Sequence, residues 1–364
     1  MSKLVNHRLQ AADEEAALET LHSLGCTDGL PVVIPTAERV SRMVLASGYD
    51  ADLSLGSMGP GGGIASIEKV AVAAVMAGCT PDYMPVVLAA VRAVIDPRFD
   101  LTEMQGTTHC TAPLIIVNGP ARHSCGPVAT GFGALGPGFR ANATIGRALR
   151  LAMTNIGGAH PGVSDMALLG HPGKFTYCLG EDEENSPLPP MHTALGYTET
   201  DSTVTVIGAE APHSVMFSGD ADDPKSADAL LQVLAIGIAN LATNNAILRN
   251  GSAVVVLNPD HAATLVNAGL DRAAIQQALF EYAANSIDDM VKVAPALAAR
   301  SKDGEATKKA FARPGDILVL MAGGSGLYSM VMPSWCAGPN QNSAVTVVIE
   351  TDQFCELPTT QGTL

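Results

Sequence analysis

Apolar residues recur at helical spacing from Ala11 to Ser23. Ala17, Leu18 and Leu21 fall on one face, with Asp13, Glu15 and Glu19 off it, so the pattern predicts an amphipathic helix that Gly25 ends. Leu30–Pro35 is a short extended run, and Thr36 caps a helix through Ala46. Ser66–Ala77 and Met84–Ile95 are two apolar helices joined by Gly78-Cys79-Thr80-Pro81. Thereafter four β-rich runs, Leu114–Val117, Thr203–Ile207, Ala253–Leu257 and Ile317–Met321, each pass into a loop of small and polar residues. Three of these loops lead to a histidine, His123, His213 or His261. Helices are expected at Ala227–Leu241, His261–Ala268 and Arg272–Ala284. Strand, polar loop and helix in repetition predict an α/β fold, Gly-rich and in two lobes, with its site at the strand ends.

The acidic, Pro-rich stretch 181–190 reads as the boundary between an N-terminal lobe, 1–190, and a C-terminal lobe, 191–364, or as a solvated loop in one compact domain. Gly59-Pro60-Gly61 before Ser66 and Lys69 is echoed by Gly136-Pro137-Gly138 before Thr144 and Arg147. The echo reads as two related half-units or as convergence of glycine-rich helix starts.

At 364 residues, 47% hydrophobic and 16% charged, the chain is neither disordered nor a coiled coil. A net charge of −15 argues against nucleic acid and anionic lipid as partners. The most apolar stretch, Val70–Ile95, is split by Cys79-Thr80-Pro81-Asp82 and Arg92, so no membrane span is expected, and no signal peptide is read in residues 1–10. Seven cysteines (26, 79, 110, 125, 178, 336 and 355) without a CxxC pair form a reduced, cytoplasmic pattern.

Candidate chemistry centres on residues 136–147. A glycine-rich turn opening a helix presents backbone N–H groups, and Arg140, Asn142, Thr144 and Arg147 add donors suited to sulfate, phosphate or carboxylate. The bland alternative is a capped helix whose arginines pair with the acids of 181–184. Gly131-Phe132-Gly133-Ala134-Leu135-Gly136 matches GxGxxG, but no strand runs into it and no acid follows about twenty residues on, so no dinucleotide site is read. Residues 170–174 lack the spacing of a P-loop. Asp28 lies in a turn where a carboxylate serves as a general base or as an Asx-turn acceptor. Glu181 and Glu183 alternate on an extended segment and share a pocket wall or a solvated face. His192 follows the Pro-rich turn as an acid or base, or as a surface histidine, and Asn118 closes the first strand as a further polar contact for substrate. His109-Cys110 and His123-Ser124-Cys125 flank that strand. They match no common zinc spacing, so no metal is expected, and they leave a cysteine-assisted hydrolase or hydro-lyase as the alternative enzyme.

Thr27-Asp28-Gly29-Leu30-Pro31-Val32-Val33, residues 75–79, residues 85–90, Ile116-Val117-Asn118-Gly119-Pro120, residues 140–147, Pro172-Gly173-Lys174 and Ser186-Pro187 resemble the motifs of a bacterial family. Its members often occur with a small domain bearing a Sec/Cys-Gly-Ser-Cys motif, fused or encoded nearby. No such motif stands in these 364 residues, and Cys26, Leu188 and Cys110 depart from the usual residues. More narrowly, the chain resembles the large subunit of the aziridine-forming enzymes of azinomycin- and vazabitide-type biosynthesis. That resemblance implies a two-subunit, cofactor-free enzyme in which an amine displaces a vicinal sulfate, with a small partner subunit and a substrate that is free or held on a carrier protein. Asp28 would then act on the amine, with Glu181 and His192 as further acid or base groups. Arg140, Asn142, Thr144, Arg147, Glu183 and Asn118 would hold substrate and leaving anion. A non-catalytic subunit that positions a thiol or selenol partner is the third reading.

Overall fold

The structure, a computed structural model, describes residues 8–298 and 305–351; Cys355 lies outside them. Helices α1 (Glu14–Ser23), α2 (Ala37–Ser47), α3 (Ile67–Ala77) and α4 (Met84–Ile95) precede strand β1 (Ala112–Asn118). Helix α5 (Arg140–Asn155) leads on to β2 (Cys178–Gly180), β3 (Thr203–Ala209) and β4 (His213–Met216). Then come α6 (Pro224–Ile238), β5 (Ala253–Leu257), α7 (Pro259–Asn267), α8 (Arg272–Tyr282), β6 (Ile317–Met321), β7 (Tyr328–Met332) and β8 (Val345–Val348). Short helical turns and two small antiparallel ribbons, Ser54–Met58 with Gly63–Ser66 and Ala284–Ser286 with Thr307–Lys309, complete the chain.

The principal helices begin and end where local chemistry permits. Thr36 and Ser66 accept the N–H groups of Arg39 and Lys69 at the N-caps of α2 and α3, and left-handed Gly48 and Gly78 close both helices. Pro224 and Pro259 sit in the first turns of α6 and α7, where no N–H is needed. Helix α4 is apolar all round and correspondingly buried from Met84 to Val91.

The strands form two four-stranded mixed sheets, ordered β8-β3-β1-β2 and β6-β5-β7-β4. Alternation along each strand decides the layering. Leu114, Ile116 and Ile207 on the first sheet and Val254, Val256, Leu318 and Leu320 on the second share one core, so the sheets pack face to face. Ile115, Val117, Val204 and Val206 point the other way, into a core with α3, α4 and α5. Val255, Leu257, Ile317 and Val319 point into a core with α6, α7 and α8. The result is a four-layer α/β/β/α sandwich, an α/β fold.

The two sheets have the same construction. In the first, β1 pairs parallel with β2 and antiparallel with β3; in the second, β5 pairs parallel with β6 and antiparallel with β7. The fourth strand is exchanged: β4 follows β3 in the chain but pairs with β7, whereas β8 follows β7 and pairs with β3. Strands from both sides of position 190 therefore share the first sheet.

The glycine echo marks a different relation. Ser66 caps α3, but α5 already starts at Arg140, so Thr144 lies inside it. Both helices belong to the same layer, where α3 packs on α5 and the Gly61 N–H donates to the Gly157 carbonyl at the end of α5 (2.7 Å). No helix among the described residues is long and apolar enough to cross a membrane.

Candidate active site

Helix α5 brings together residues that lie far apart in sequence. Its Arg147 makes a two-pronged ion pair with Asp28, Nε to Oδ2 at 2.7 Å and Nη2 to Oδ1 at 2.8 Å, and Nη2 also donates to the carbonyls of Leu30 and Pro31. Asp28 accepts in addition from the Leu30 N–H, the Asx turn that Asp-Gly favours. Burial opposes charge on Asp28, but the Arg147 guanidinium outweighs it and holds the carboxyl below its usual range.

One turn beyond Arg147, α5 presents Arg150 and Thr154 to an open cleft of about 480 Å³. Thr27 and Asp28 line the same cleft, with loop residues His160, Asp165, His171 and Lys174. Lys174 Nζ lies 2.8 Å from both Asp165 oxygens, and Arg150 Nη2 lies 3.1 Å from Oδ2. Burial works against charge on Asp165, yet its two cations hold the carboxyl low. Burial pushes the Lys174 ammonium down, against the pull of Asp165. Two cations on one carboxylate, beside the neutralised Asp28–Arg147 pair, leave this cleft locally positive on a chain of net charge −15. His160 is half-buried at the wall, and its ring has no hydrogen-bond partner among the described residues. His171 Nδ1 accepts from the Gly173 N–H (3.1 Å), its ring meets Tyr177 edge-on, and burial lowers its pKa.

The other expected anion ligands face elsewhere. Arg140 donates through Nε and Nη2 to the Gly78 carbonyl, at 3.1 and 2.9 Å, and so closes the C-terminus of α3. Asn142 is buried, accepting from the Ala129 N–H and donating to the carbonyls of Ala129 and Ala134, a clamp on the 129–134 loop. Thr144 returns its hydroxyl to the Arg140 carbonyl. Of the four residues, Arg147 alone reaches the cleft region, through Asp28.

Asn118, Glu181, Glu183 and His192 do converge, at the opposite end of β1 and β2. Asn118 Nδ2 donates to Glu181 Oε2 and to Glu183 Oε1, and Glu183 also accepts the Gly119 N–H. Arg122, 3% exposed in its side chain, pairs with Glu183 and Glu184. It draws Glu184 down to a pKa of about 2. Burial raises the Glu181 carboxyl against the pull of Arg272 and of the Met191 N–H. His192 is fully buried rather than a surface residue; Nε2 donates to the Thr198 carbonyl, and Nδ1 lies 3.8 Å from Glu183 Oε1. Residues 181–184 are thus neither a solvated loop nor an open linker, because Glu181 and Asp182 are buried. The cluster is a buried ion network that ties the strand ends together, with Asn118 Oδ1 and His192 Nδ1 left without a hydrogen-bond partner among the described residues. None of its residues lines the cleft of Asp28, Arg150 and Lys174.

Burial counts against reactivity for most of the described thiols. Cys125 is 1% exposed and burial raises its pKa, while the nearby His123 ring turns to Glu184. Burial pushes Cys79 and Cys336 up to about 12. Cys110 Sγ accepts the Gly170 N–H at 3.2 Å, and His109 is engaged by Glu210 and Asn244. His109 and His123 stand at opposite ends of β1, and no group of three or more acidic, His or Cys side chains among the described residues is placed to hold a metal ion.

Four residues of the cleft, Arg150, His160, Asp165 and Lys174, are not singled out as site residues by the sequence. Arg150 follows Arg147 by a helical turn, a spacing that puts both on one face, but His160 and Asp165 lie in a glycine-rich loop with no motif. Lys174 stands in Pro172-Gly173-Lys174, which reads as a failed P-loop and as one segment of the family resemblance, without a role for the lysine. Compared with models of protein families, with curated proteins and with solved structures, the chain matches none.

Proposed function

We propose that this chain is the larger subunit of an enzyme that closes an aziridine ring by displacing a vicinal sulfate. The observation that carries the reading is that Asp28 lines the same cleft as Arg150 and Lys174. Such a substrate bears a basic nitrogen next to an anionic leaving group, and the cleft offers a carboxylate edge and a cationic edge to match. In the step, the amine lone pair forms the new C–N bond while the C–O bond breaks and its electrons depart with sulfate. The proton released from nitrogen passes to His160, whose ring is otherwise unengaged. Asp28, held ionised by Arg147, is a weak base and orders the edge of the cleft at which the neutral amine enters. Arg150 and Lys174 stabilise the negative charge that grows on the leaving oxygen. Holding nitrogen and leaving oxygen on opposite sides of the attacked carbon is positioning work. A small partner subunit would complete the enzyme, and a carrier protein could present the substrate.

Ion chromatography of sulfate released from a vicinal amino sulfate, free and carrier-bound, tests this with the co-expressed partner present. Wild type should release sulfate in step with ring closure. Lys174→Met should lower kcat by about 10²–10³-fold, the usual cost of removing one preorganised charge. Thiol alkylation should leave the rate intact. No release by wild type with its partner would overturn the proposal.

A further inference from the structure

Helix α1 is amphipathic, yet none of its residues is buried. Ala17 and Leu21 line a cavity of about 630 Å³, closed on the far side by Ile34, Val40, Val72 and Met76, and Leu21 also packs against the edge of the core. The helix is held across this space by polar ties at its margins. Asn155 Nδ2 donates to the Cys26 carbonyl (2.9 Å), His22 Nδ1 and Thr27 Oγ1 lie 2.6 Å apart, and Arg39 pairs with Glu14 at 3.1 Å. A space of this size falls in the range of small-molecule sites, and its surface is mostly apolar, with polar side chains such as Glu68 and Asn155 in the wall.

The cavity and the charged cleft share a wall one residue thick. Cys26 and Asn155 line the cavity, whereas their chain neighbours Thr27 and Thr154 line the cleft. Adjacent Cα atoms are about 3.8 Å apart, so a ligand seated in the cleft has only this strap to cross. The mouth carries both signs, Asp13 and Glu14 beside Arg8, and Glu14 is already paired with Arg39, so it favours neither an anionic nor a cationic chain.

We infer that this cavity is a second binding site, for the uncharged apolar end of the substrate, an aliphatic chain or an aromatic ring. Its place beside the reacting end rests on the reaction proposed above; the site itself does not. The test is titration with N-phenyl-1-naphthylamine, an uncharged fluorescent apolar dye, in the full chain with its partner. One dye should bind per chain. Val72→Trp and Ala17→Trp, which fill the cavity from opposite walls, should each weaken binding at least tenfold, while Lys174→Met leaves it unchanged. An acylated amino sulfate should show a KM raised at least tenfold by either tryptophan, and an unacylated one an unaltered KM. Absence of dye binding, or binding that survives whichever tryptophan variants keep the wild-type melting curve, overturns the site. Failure of sulfate release alone overturns the reaction and leaves the dye titration to decide the cavity.

Discussion

At the scale of single residues, the Asp28–Arg147 pair joins the N-terminal segment to α5. Asp28 is 5% exposed in its side chain and Arg147 16%. Arg147→Leu would leave a buried carboxylate without its partner, which costs about 3–5 kcal/mol, and urea unfolding should show a loss of that order. Adding Asp28→Asn in the same chain should recover part of it, because the stranded charge is gone. The pH dependence has a definite sign. Asp28 and Asp165 have folded-state pKa values below their unfolded ones. Their contribution is therefore fully present above the ordinary carboxylate range and is lost as pH falls through the lowered values. The double variant should show a shallower acid limb than wild type when melting temperature is followed from neutral pH downwards. The pairing itself was not legible. Each residue stood out by its local chemistry, but a hundred and more positions separate them, and only the packing of α5 against the 26–31 strap joins them. Arg140 went the other way because left-handed Gly78 ends α3 beneath it and leaves a carbonyl to be satisfied.

Whole elements were more legible than their uses. The bounds of α4, β5 and β6 fall where hydrophobic patterning puts them, because each is a clean apolar run between strong punctuation. Helix α1 starts at Glu14 rather than Ala11, since Asp13 accepts the Ala16 N–H and so sets the first turn. Helix α6 likewise begins at Pro224, three residues before the apolar pattern suggests, behind an Asp223 cap. Strands β2, β4, β7 and β8 were missed. They are three to five residues long, and pairing with a neighbour rather than their own composition makes them strands. Helix α5 carries one position that composition undervalues. A Cβ at Gly146 would lie 2.4 Å from Thr176 Oγ1 and 2.6 Å from the Tyr177 nitrogen, so only glycine lets the helix sit against the segment entering β2. Gly146→Ala should cost about 1–3 kcal/mol, read by urea unfolding, by forcing that segment away. Lys174 lies just upstream of it, so sulfate release should fall as well.

For the whole molecule, the exchange of β4 and β8 has a mechanical meaning. A chain cut after residue 190 separates β1 and β2 from β3 and β8, so the 1–190 piece holds two strands of a four-stranded sheet. Expressed alone, that piece should lack a native far-UV circular dichroism spectrum and dispersed amide resonances, and co-expression with 191–364 should restore both. The intact chain should unfold in a single transition, seen alike by circular dichroism and by fluorescence of Trp335, which is buried against the first sheet's helical face. A boundary at the acidic stretch was a reasonable expectation from composition. It misled because Glu181 and Glu183 face inward, onto Arg272 and Arg122, while Glu184 stays exposed.

The two sheets and their traded strands also bear on descent. A unit that builds three strands of its own sheet and sends the fourth elsewhere cannot complete itself, but two identical copies of it can complete each other around a twofold axis. Joined end to end, such copies would give the strand order seen here. The present chain is, in topology, a strand-swapped homodimer with its subunits tethered.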